Sequence, residues 1–94
     1  MEHVELRTIT LNIDGIEVDF PLARSISEHL ASEIVDEPML IAWFDGKRNE
    51  EHPTVPECQH KPGWLAYAEG HGGCLRVDVN GVLYSLIFAE SGTT

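Results

Sequence analysis

Apolar and polar residues alternate from Ile9 to Ile13, and the dipeptide Asp14-Gly15 follows directly. Such alternation is typical of a strand with one buried face, and Asp-Gly is a strong signal for a two-residue type I′ turn. The segment from Val4 to Phe20 therefore predicts a β-hairpin. Its register would place apolar residues opposite one another on one face: Ile13 with Ile16, Leu11 with Val18, and Ile9 with Phe20.

A helix is predicted next, from about Ile26 to Asp36. The residues before it, Ser25-Ile26-Ser27-Glu28, have the form of a capping box, and apolar residues then recur at four-residue spacing. An earlier start at Pro21, which adds Leu22 to the same stripe, is the alternative. Pro38 ends the helical pattern because its ring cannot continue a helix.

The continuous apolar run Met39 to Phe44 predicts a short strand buried on both faces. After it the periodicity disappears, and residues 45–63 predict a long irregular loop of the kind that often carries function. A short helix is then predicted from Pro62 to Glu69, with Gly70 available as its stop and a strand as the alternative.

The second hairpin is predicted from Cys74–Val79 and Val82–Ala89, which flank the type I′ dipeptide Asn80-Gly81. On one face the register pairs Val79 with Val82, Val77 with Tyr84, and Leu75 with Leu86. On the other it pairs Asp78 with Leu83, Arg76 with Ser85, and Cys74 with Ile87, so that this face is polar at its centre and apolar at its ends.

These elements predict a single small α+β domain over residues 1–94. The order is β-β-α-β-α-β-β, with a mainly antiparallel sheet built from two β-hairpins plus a central strand and carrying one longer and one short helix. A chain of 94 residues has the length of one domain with one core.

The chain is acidic, with 16 Asp and Glu against six Lys and Arg and a formal charge of -10. This charge disfavours binding to nucleic acid, and the longest apolar run is too short to span a membrane. The N-terminus resembles neither a signal nor a transit peptide, which predicts a cytoplasmic location. Two cysteines in that reducing compartment are expected to be thiols, thiolates or metal ligands.

Cysteine and histidine residues gather in and beside the predicted loop. Four of them, Cys58, His60, His71 and Cys74, form two closely spaced pairs, and His52 lies nearby. Two such pairs are the usual arrangement for structural zinc, although Cys-x-His is shorter than the common spacing. A zinc-binding module is therefore one alternative. The other is that Cys74 is a small buried strand residue and the histidines are polar loop residues.

A cysteine-dependent enzyme is a further alternative. Its nucleophile would be Cys58 or Cys74, paired with His60 or His71 and oriented by Asp45 or Glu69. No recognisable cysteine motif surrounds either thiol, and a domain of this size has little room for a closed pocket.

Large aromatic residues stand at both edges of the predicted loop. Trp43 and Phe44 precede it, and Trp64 and Tyr67 follow it. They predict either a shallow ligand site or, more simply, the aromatic part of a small core.

The sequence resembles a group of short, uncharacterised prokaryotic proteins with a domain of unknown function. The resemblance covers about residues 42–88 and rests on Ala42-Trp43-Phe44-Asp45, Pro56-Glu57-Cys58, Pro62-Gly63-Trp64, Tyr67-Ala68, Gly72-Gly73 and Asp78-Val79-Asn80-Gly81. It implies a small stand-alone α+β protein. It implies no activity, cofactor or site residue.

The sequence favours a structural or protein-interaction domain that self-associates, most simply as a homodimer. The expected interface is the face of the second hairpin that carries Leu83, Ile87 and Cys74, because the domain's own elements leave part of that face uncovered in the predicted arrangement.

Overall fold

The computed structural model describes residues 6–56 and 60–91 of the chain, in which five strands and two helices follow one another. The elements are β1 (Arg7–Leu11), α1 (Phe20–Ile34), β2 (Pro38–Asp45), β3 (Glu50–His52), α2 (Gly63–Gly70), β4 (Gly73–Val79) and β5 (Tyr84–Glu90). The α+β class, the longer and shorter helix and the mainly antiparallel sheet confirm the prediction. Among these residues, neither helix is long and apolar enough to cross a membrane.

All five strands belong to one sheet, in the order β1-β4-β5-β2-β3. Three of its pairings are antiparallel: β4 with β5, β5 with β2, and β2 with β3. The fourth pairing is parallel and joins β1 to β4, with Ile9 opposite Val77 and Leu11 opposite Val79. In the part of the chain that the structure describes, the sheet thus ends in β1 on one side and β3 on the other.

The predicted first hairpin is wrong. Its first strand exists as β1, but residues 12–19 form a connection to α1 and not a second strand. Asn80 explains the choice of partner, since its N–H donates to the Leu11 carbonyl at 2.7 Å and its side-chain oxygen accepts from the Ile13 N–H at 2.8 Å. These bonds hold the end of β1 against β4, and Asp14-Gly15 becomes part of a loop.

Helix α1 begins at Phe20, so the alternative start near Pro21 is confirmed and the start at Ile26 is wrong. Asp19 is the N-cap, and its carboxylate accepts a hydrogen bond from the Leu22 N–H at 3.0 Å. Proline suits the first turn because its missing N–H would have no helical partner there.

The predicted capping box, Ser25 to Glu28, lies inside α1. The helix presents small residues to the sheet at four-residue spacing, and all three are fully buried: Ala23, Ser27 and Ala31. Small side chains let the helix backbone approach the sheet closely, while the larger residues of the expected stripe lie at the flanks of this contact.

The two helices lie on opposite faces of the sheet. Helix α1 covers the face that carries Leu75, Val77, Val79, Leu86 and Phe88. Helix α2, which confirms the predicted short helix, packs on the other face in a smaller cluster of Ala42, Trp64, Ala68 and Ile87. Because α2 has only eight residues, it covers only one end of the second face.

The second hairpin is confirmed, but its register differs by two residues. Val79 lies opposite Tyr84, Val77 opposite Leu86 and Leu75 opposite Phe88, because the connection runs over four residues, 80–83. The Leu83 carbonyl accepts a hydrogen bond from the Gly46 N–H at 2.6 Å, which ties this loop to the end of β2. A shift of two leaves the paired strand residues on their predicted faces, whereas Val82 and Leu83 belong to the connection and lie on the opposite sides from those predicted.

The segment 45–63, predicted as an irregular loop, contains the short strand β3. The turn before β3 is organised by Asp45, a buried residue whose carboxylate accepts hydrogen bonds from the N–H groups of Lys47 and Arg48 at 3.1 and 3.2 Å. The predicted central strand, Met39 to Phe44, is confirmed as β2.

Candidate functional site

Among residues 6–56 and 60–91, no strand pairs with the outer side of β1, so that β1 is an edge strand with outward backbone groups. The Leu11 carbonyl points toward β4, since it accepts from Asn80, and backbone groups alternate in direction along a strand. The N–H and C=O groups of Thr8 and Thr10 therefore point away from the sheet. Both residues are exposed and β-branched, and β1 contains no proline. Such an edge is a template for pairing with a further strand.

A groove runs between the end of β1 and the flank of α1, with a volume of about 460 Å³. Its apolar floor is formed by Leu11, Ile26 and Leu30, and its outer rim by Ser25, His29 and Glu33. A strand added to β1 would lie along this groove, so that backbone pairing and apolar burial would occur together.

The opposite edge of the sheet is different. Strand β3 has only three residues, two of them glutamates, and Pro53 follows it directly. Short length, like charges and proline all oppose strand addition. The two edges therefore differ in their capacity for pairing.

A second recess lies on the other sheet face, at the end that α2 leaves open. It has a volume of about 280 Å³, and seven residues line it: Phe44, Glu51, Pro62, Trp64, Arg76, Val82 and Ser85. We call it the Arg76 pocket. Gly63 helps to place its Trp64 wall, because a Cβ at Gly63 would overlap the Val55 carbonyl oxygen. Gly63 therefore lets α2 begin in direct contact with the segment that carries Val55.

Arg76 is held firmly in the pocket. Its Nε donates to the Asp78 carboxylate at 2.8 Å, and the same carboxylate oxygen accepts from the Ser85 hydroxyl at 2.8 Å. Its guanidinium carbon lies 5.5 Å from the centre of the Trp64 ring, which stacks in turn on Phe44. The side chains of Arg76 and Asp78 are only 21% and 13% exposed, in contrast to the other ion pairs of the described chain.

Two ionisable groups near the start of α1 have shifted pKa values. Burial raises the pKa of Tyr84, with a further contribution from the nearby Asp45 carboxylate, and its hydroxyl donates to the Val18 carbonyl at 3.1 Å. The pKa of Lys47 is also raised, because its ammonium group donates to the Glu17 carboxylate at 3.1 Å. Tyr84 is therefore a structural phenol, neutral at physiological pH.

The residues predicted as metal ligands are described only in part, since Cys58 lies outside the described residues. His60 is exposed in a turn, and His71, at the end of α2, stacks on Tyr67 with its Nδ1 2.8 Å from the Tyr67 carbonyl oxygen. Cys74 is half-buried beside Arg7 and the end of α1. Within residues 6–56 and 60–91, no three His, Cys, Asp or Glu side chains form a group suited to a metal ion. The four-ligand zinc site stays a prediction.

His52 has a structural contact of its own. It lies opposite Trp43 across β2 and β3, and the two rings stack with centroids 4.3 Å apart. Asp45 and Glu69 were the residues expected to orient the group of a cysteine nucleophile and its histidine. In the structure Asp45 organises a turn, and Glu69 pairs with Lys61.

The predicted interface residues do not share one open face. Ile87 is 0% exposed under α2, so the expectation that it faces outward is wrong, because α2 covers that end of the hairpin. Leu83 packs against the core on the α1 side, and Cys74 is half-buried. The polar centre of the predicted face does stay open, and it is the Arg76 pocket.

Sequence reasoning did not identify β1 as an edge, because the predicted hairpin supplied it with a neighbour. It did place Arg76, Asp78 and Ser85 on one face. The spacing Arg-x-Asp within a strand is the signal that could have indicated their ion pair.

Within the described residues, the fold and the sites define a small α+β domain with a five-stranded mixed sheet, an edge strand, β1, that is open to pairing, and the Arg76 pocket on the second face. The chain belongs to the family described as Domain of unknown function (DUF5619), which matches residues 6–88. The expected resemblance is thereby confirmed, over a longer stretch than predicted.

One solved structure is similar over nearly the whole chain. It is a crystal structure of a novel protein from Archeoglobus fulgidus DSM 4304, 27% identical in sequence, with a TM-score of 0.78 and coverage of 96% of this chain and 100% of that one. No curated protein matches the sequence.

Proposed function

We propose that this protein is a small, non-enzymatic interaction domain that self-associates by pairing β1 with β1 of a second copy. The observation that carries the proposal is the unprotected β1 edge with an apolar groove beside it. The cytoplasmic location and the absence of nucleic-acid and membrane partners stay predictions that accompany it.

The outward backbone groups favour one register. In an antiparallel pair centred on Ile9, Thr8 of each copy lies opposite Thr10 of the other, and each such pair exchanges two hydrogen bonds. All five residues of both β1 strands then take part. Ile9 lies opposite its own copy at the centre, where side chains of a non-hydrogen-bonded pair come closest.

The same pairing also buries apolar surface. A two-fold axis perpendicular to the sheet keeps both α1 helices on one side, so each groove faces the partner. The half-buried Ile9 and Leu11 and the groove residues Ile26 and Leu30 would then lose contact with water. Backbone pairing alone is weak, and this burial supplies the larger part of the stabilisation.

The charges near the edge permit this arrangement. β1 has a single charged side chain, Arg7, which lies opposite Leu11 of the other copy in this register and thus away from the second Arg7. All 16 Asp and Glu residues of the chain, whose net charge is -10, lie outside β1. Salt should therefore strengthen the association moderately by screening the repulsion between two acidic bodies.

The test uses light scattering coupled to size-exclusion chromatography. We expect the wild-type chain to give twice the monomer mass of 10.5 kDa at high micromolar concentration. Thr10→Pro should give the monomer mass, because it removes an outward N–H without removing a bond to β4. Thr10→Val is the matched control, since it keeps the N–H and the β-branched side chain, and it should remain dimeric.

Amide hydrogen exchange supplies a second measurement at the predicted interface. In the wild type, the Thr8 and Thr10 amides should be protected more at high than at low protein concentration. A monomer mass for the wild type throughout the micromolar range would refute self-association. A dimer that survives Thr10→Pro, with Thr8 and Thr10 exchanging freely, would move the interface away from β1.

A further inference from the structure

We propose that the Arg76 pocket is a binding site for a small neutral molecule that combines a planar apolar group with a carboxamide. The site lies on the sheet face opposite α1, is independent of the β1 edge, and has a place for each part of such a ligand.

The first feature is the fixed guanidinium. Arg76 uses one of its five N–H donors in the bond to Asp78, and its guanidinium carbon lies over the Trp64 ring, 5.5 Å from the ring centre. Among the described residues, the hydrogen bonds of its side chain are made at Nε alone. The donors of its two terminal nitrogens therefore remain for an acceptor oxygen in the pocket that Arg76 lines.

The second feature is the charge balance, which decides the class of ligand. Asp78 already neutralises Arg76, and the Glu51 carboxylate also lines the pocket, so a carboxylate ligand would meet two negative charges for one positive. A purely cationic ligand could contact the carboxylates, but an ammonium group has no acceptor and would leave the terminal N–H groups of Arg76 without a partner. A carboxamide carries no charge, accepts from a guanidinium through its oxygen and donates to a carboxylate through its NH₂ group.

The third feature is the apolar wall. Phe44 and Trp64 stack with their rings nearly parallel, at 12°, and Pro62 and Val82 complete the lining. Val82 is 62% exposed, so that a ligand covering it would remove apolar surface from water. A volume of about 280 Å³ is sufficient for one aromatic ring with a carboxamide substituent.

Benzamide is the probe, and benzoate and benzylamine are its charged counterparts. Binding is followed by two-dimensional NMR, using the Arg76 Nε–H and the Trp64 indole N–H signals. We expect benzamide to bind with a Kd of the order of millimolar, as suits about nine heavy atoms in an open pocket. Benzoate and benzylamine should bind more weakly.

Arg76→Met should weaken benzamide binding by roughly tenfold or more, because a charge-assisted hydrogen bond is lost. Arg24→Met is the matched control, since Arg24 also lies over a tryptophan, Trp43, at 5.7 Å but outside the pocket. It should bind benzamide as the wild type does. If Arg76→Met fails to fold, Arg76→Lys replaces it, and this variant should also bind more weakly because an ammonium lacks the planar fork.

Three results would overturn the assignment. The first is that the Arg76 and Trp64 NMR signals do not shift with benzamide at a concentration of about 50 mM, well above the expected Kd. The second is that the Arg76 variants bind benzamide as tightly as the wild type does. The third is that benzoate or benzylamine binds more tightly than benzamide. None of them bears on the β1 dimer, whose mass is measured without ligand.

Discussion

The buried hydroxyl of Ser27 gives the sharpest test of how α1 packs on the sheet. Ser27 is 0% exposed between Ala23 and Ala31, and its Oγ has no hydrogen-bond partner among the described residues. A buried donor and acceptor without a partner costs about 1–3 kcal/mol of folding free energy. Ser27→Ala removes that cost and changes the side-chain volume by one oxygen atom.

The magnitude follows from two contributions. Relief of the unpaired hydroxyl contributes at least about 1 kcal/mol, and the better helix propensity of alanine adds about 0.5 kcal/mol. Lost contacts around the missing oxygen offset part of this gain, so that we expect a net stabilisation of about 1 kcal/mol. For a domain of this size that corresponds to a rise in Tm of about 4–8 °C.

The assay is thermal and urea unfolding, followed by circular dichroism at one fixed protein concentration, because association would change the apparent stability. Ser25→Ala is the matched control: Ser25 lies on the same helix but is exposed, so that only the propensity gain of about 0.5 kcal/mol applies. If Ser27→Ala were no more stable than Ser25→Ala, the hydroxyl would have a partner and the reasoning would fail.

Two further predictions concern protonation and metal. Burial raises the pKa of Tyr84, so its contribution to stability is complete below the unfolded value of about 10 and is lost as the pH rises through the folded value. In urea unfolding, the free energy of unfolding should therefore fall above pH 10, and it should fall less in Tyr84→Phe than in the wild type. This variant should be about 1 kcal/mol less stable at neutral pH, because it lacks the hydrogen bond to Val18. An equal fall of the free energy of unfolding with pH in both proteins would contradict this prediction. For zinc, the predicted four-ligand site requires about one zinc per chain in protein purified without added metal, measured by elemental analysis and lost in Cys58→Ser; much less than one zinc per chain would rule the site out.

The local patterns predicted most of the elements because each depends on neighbouring residues. The apolar run of β2 and the proline at the start of α2 act over a few positions, and both confirm their predictions; Asn80-Gly81 lies at the predicted turn, but the connection has four residues, 80–83, and not two. The start of α1 was ambiguous because the sequence offered both the capping box at Ser25 and an earlier start at Pro21. The burial of Ala23, one turn before the predicted start, decides between them, and burial is a property of the tertiary fold.

The registers and the sites depend on distant contacts, and for that reason the sequence could not supply them. Asn80-Gly81 adopts positive φ at both residues, as a type I′ turn requires, yet the hairpin closes two residues later because Gly46 binds the Leu83 carbonyl. The Arg76 pocket likewise needs Phe44 and Trp64 from separate elements. Of the residues that line it, Arg76 and Ser85 were assigned to one face in advance, together with Asp78, which pairs with Arg76.

The wrong hairpin and the proposed dimer have one physical cause. In the predicted hairpin, residues 16–20 would run beside β1 and satisfy its backbone groups. In the structure, Asn80 draws the Leu11 and Ile13 backbones toward β4, and Asp19 is needed as the cap of α1. Residues 16–20 are thereby taken away from β1, whose outward groups at Thr8 and Thr10 are left to pair with another chain. The strand that the sequence pattern expects within the chain is, in our proposal, β1 of a second copy.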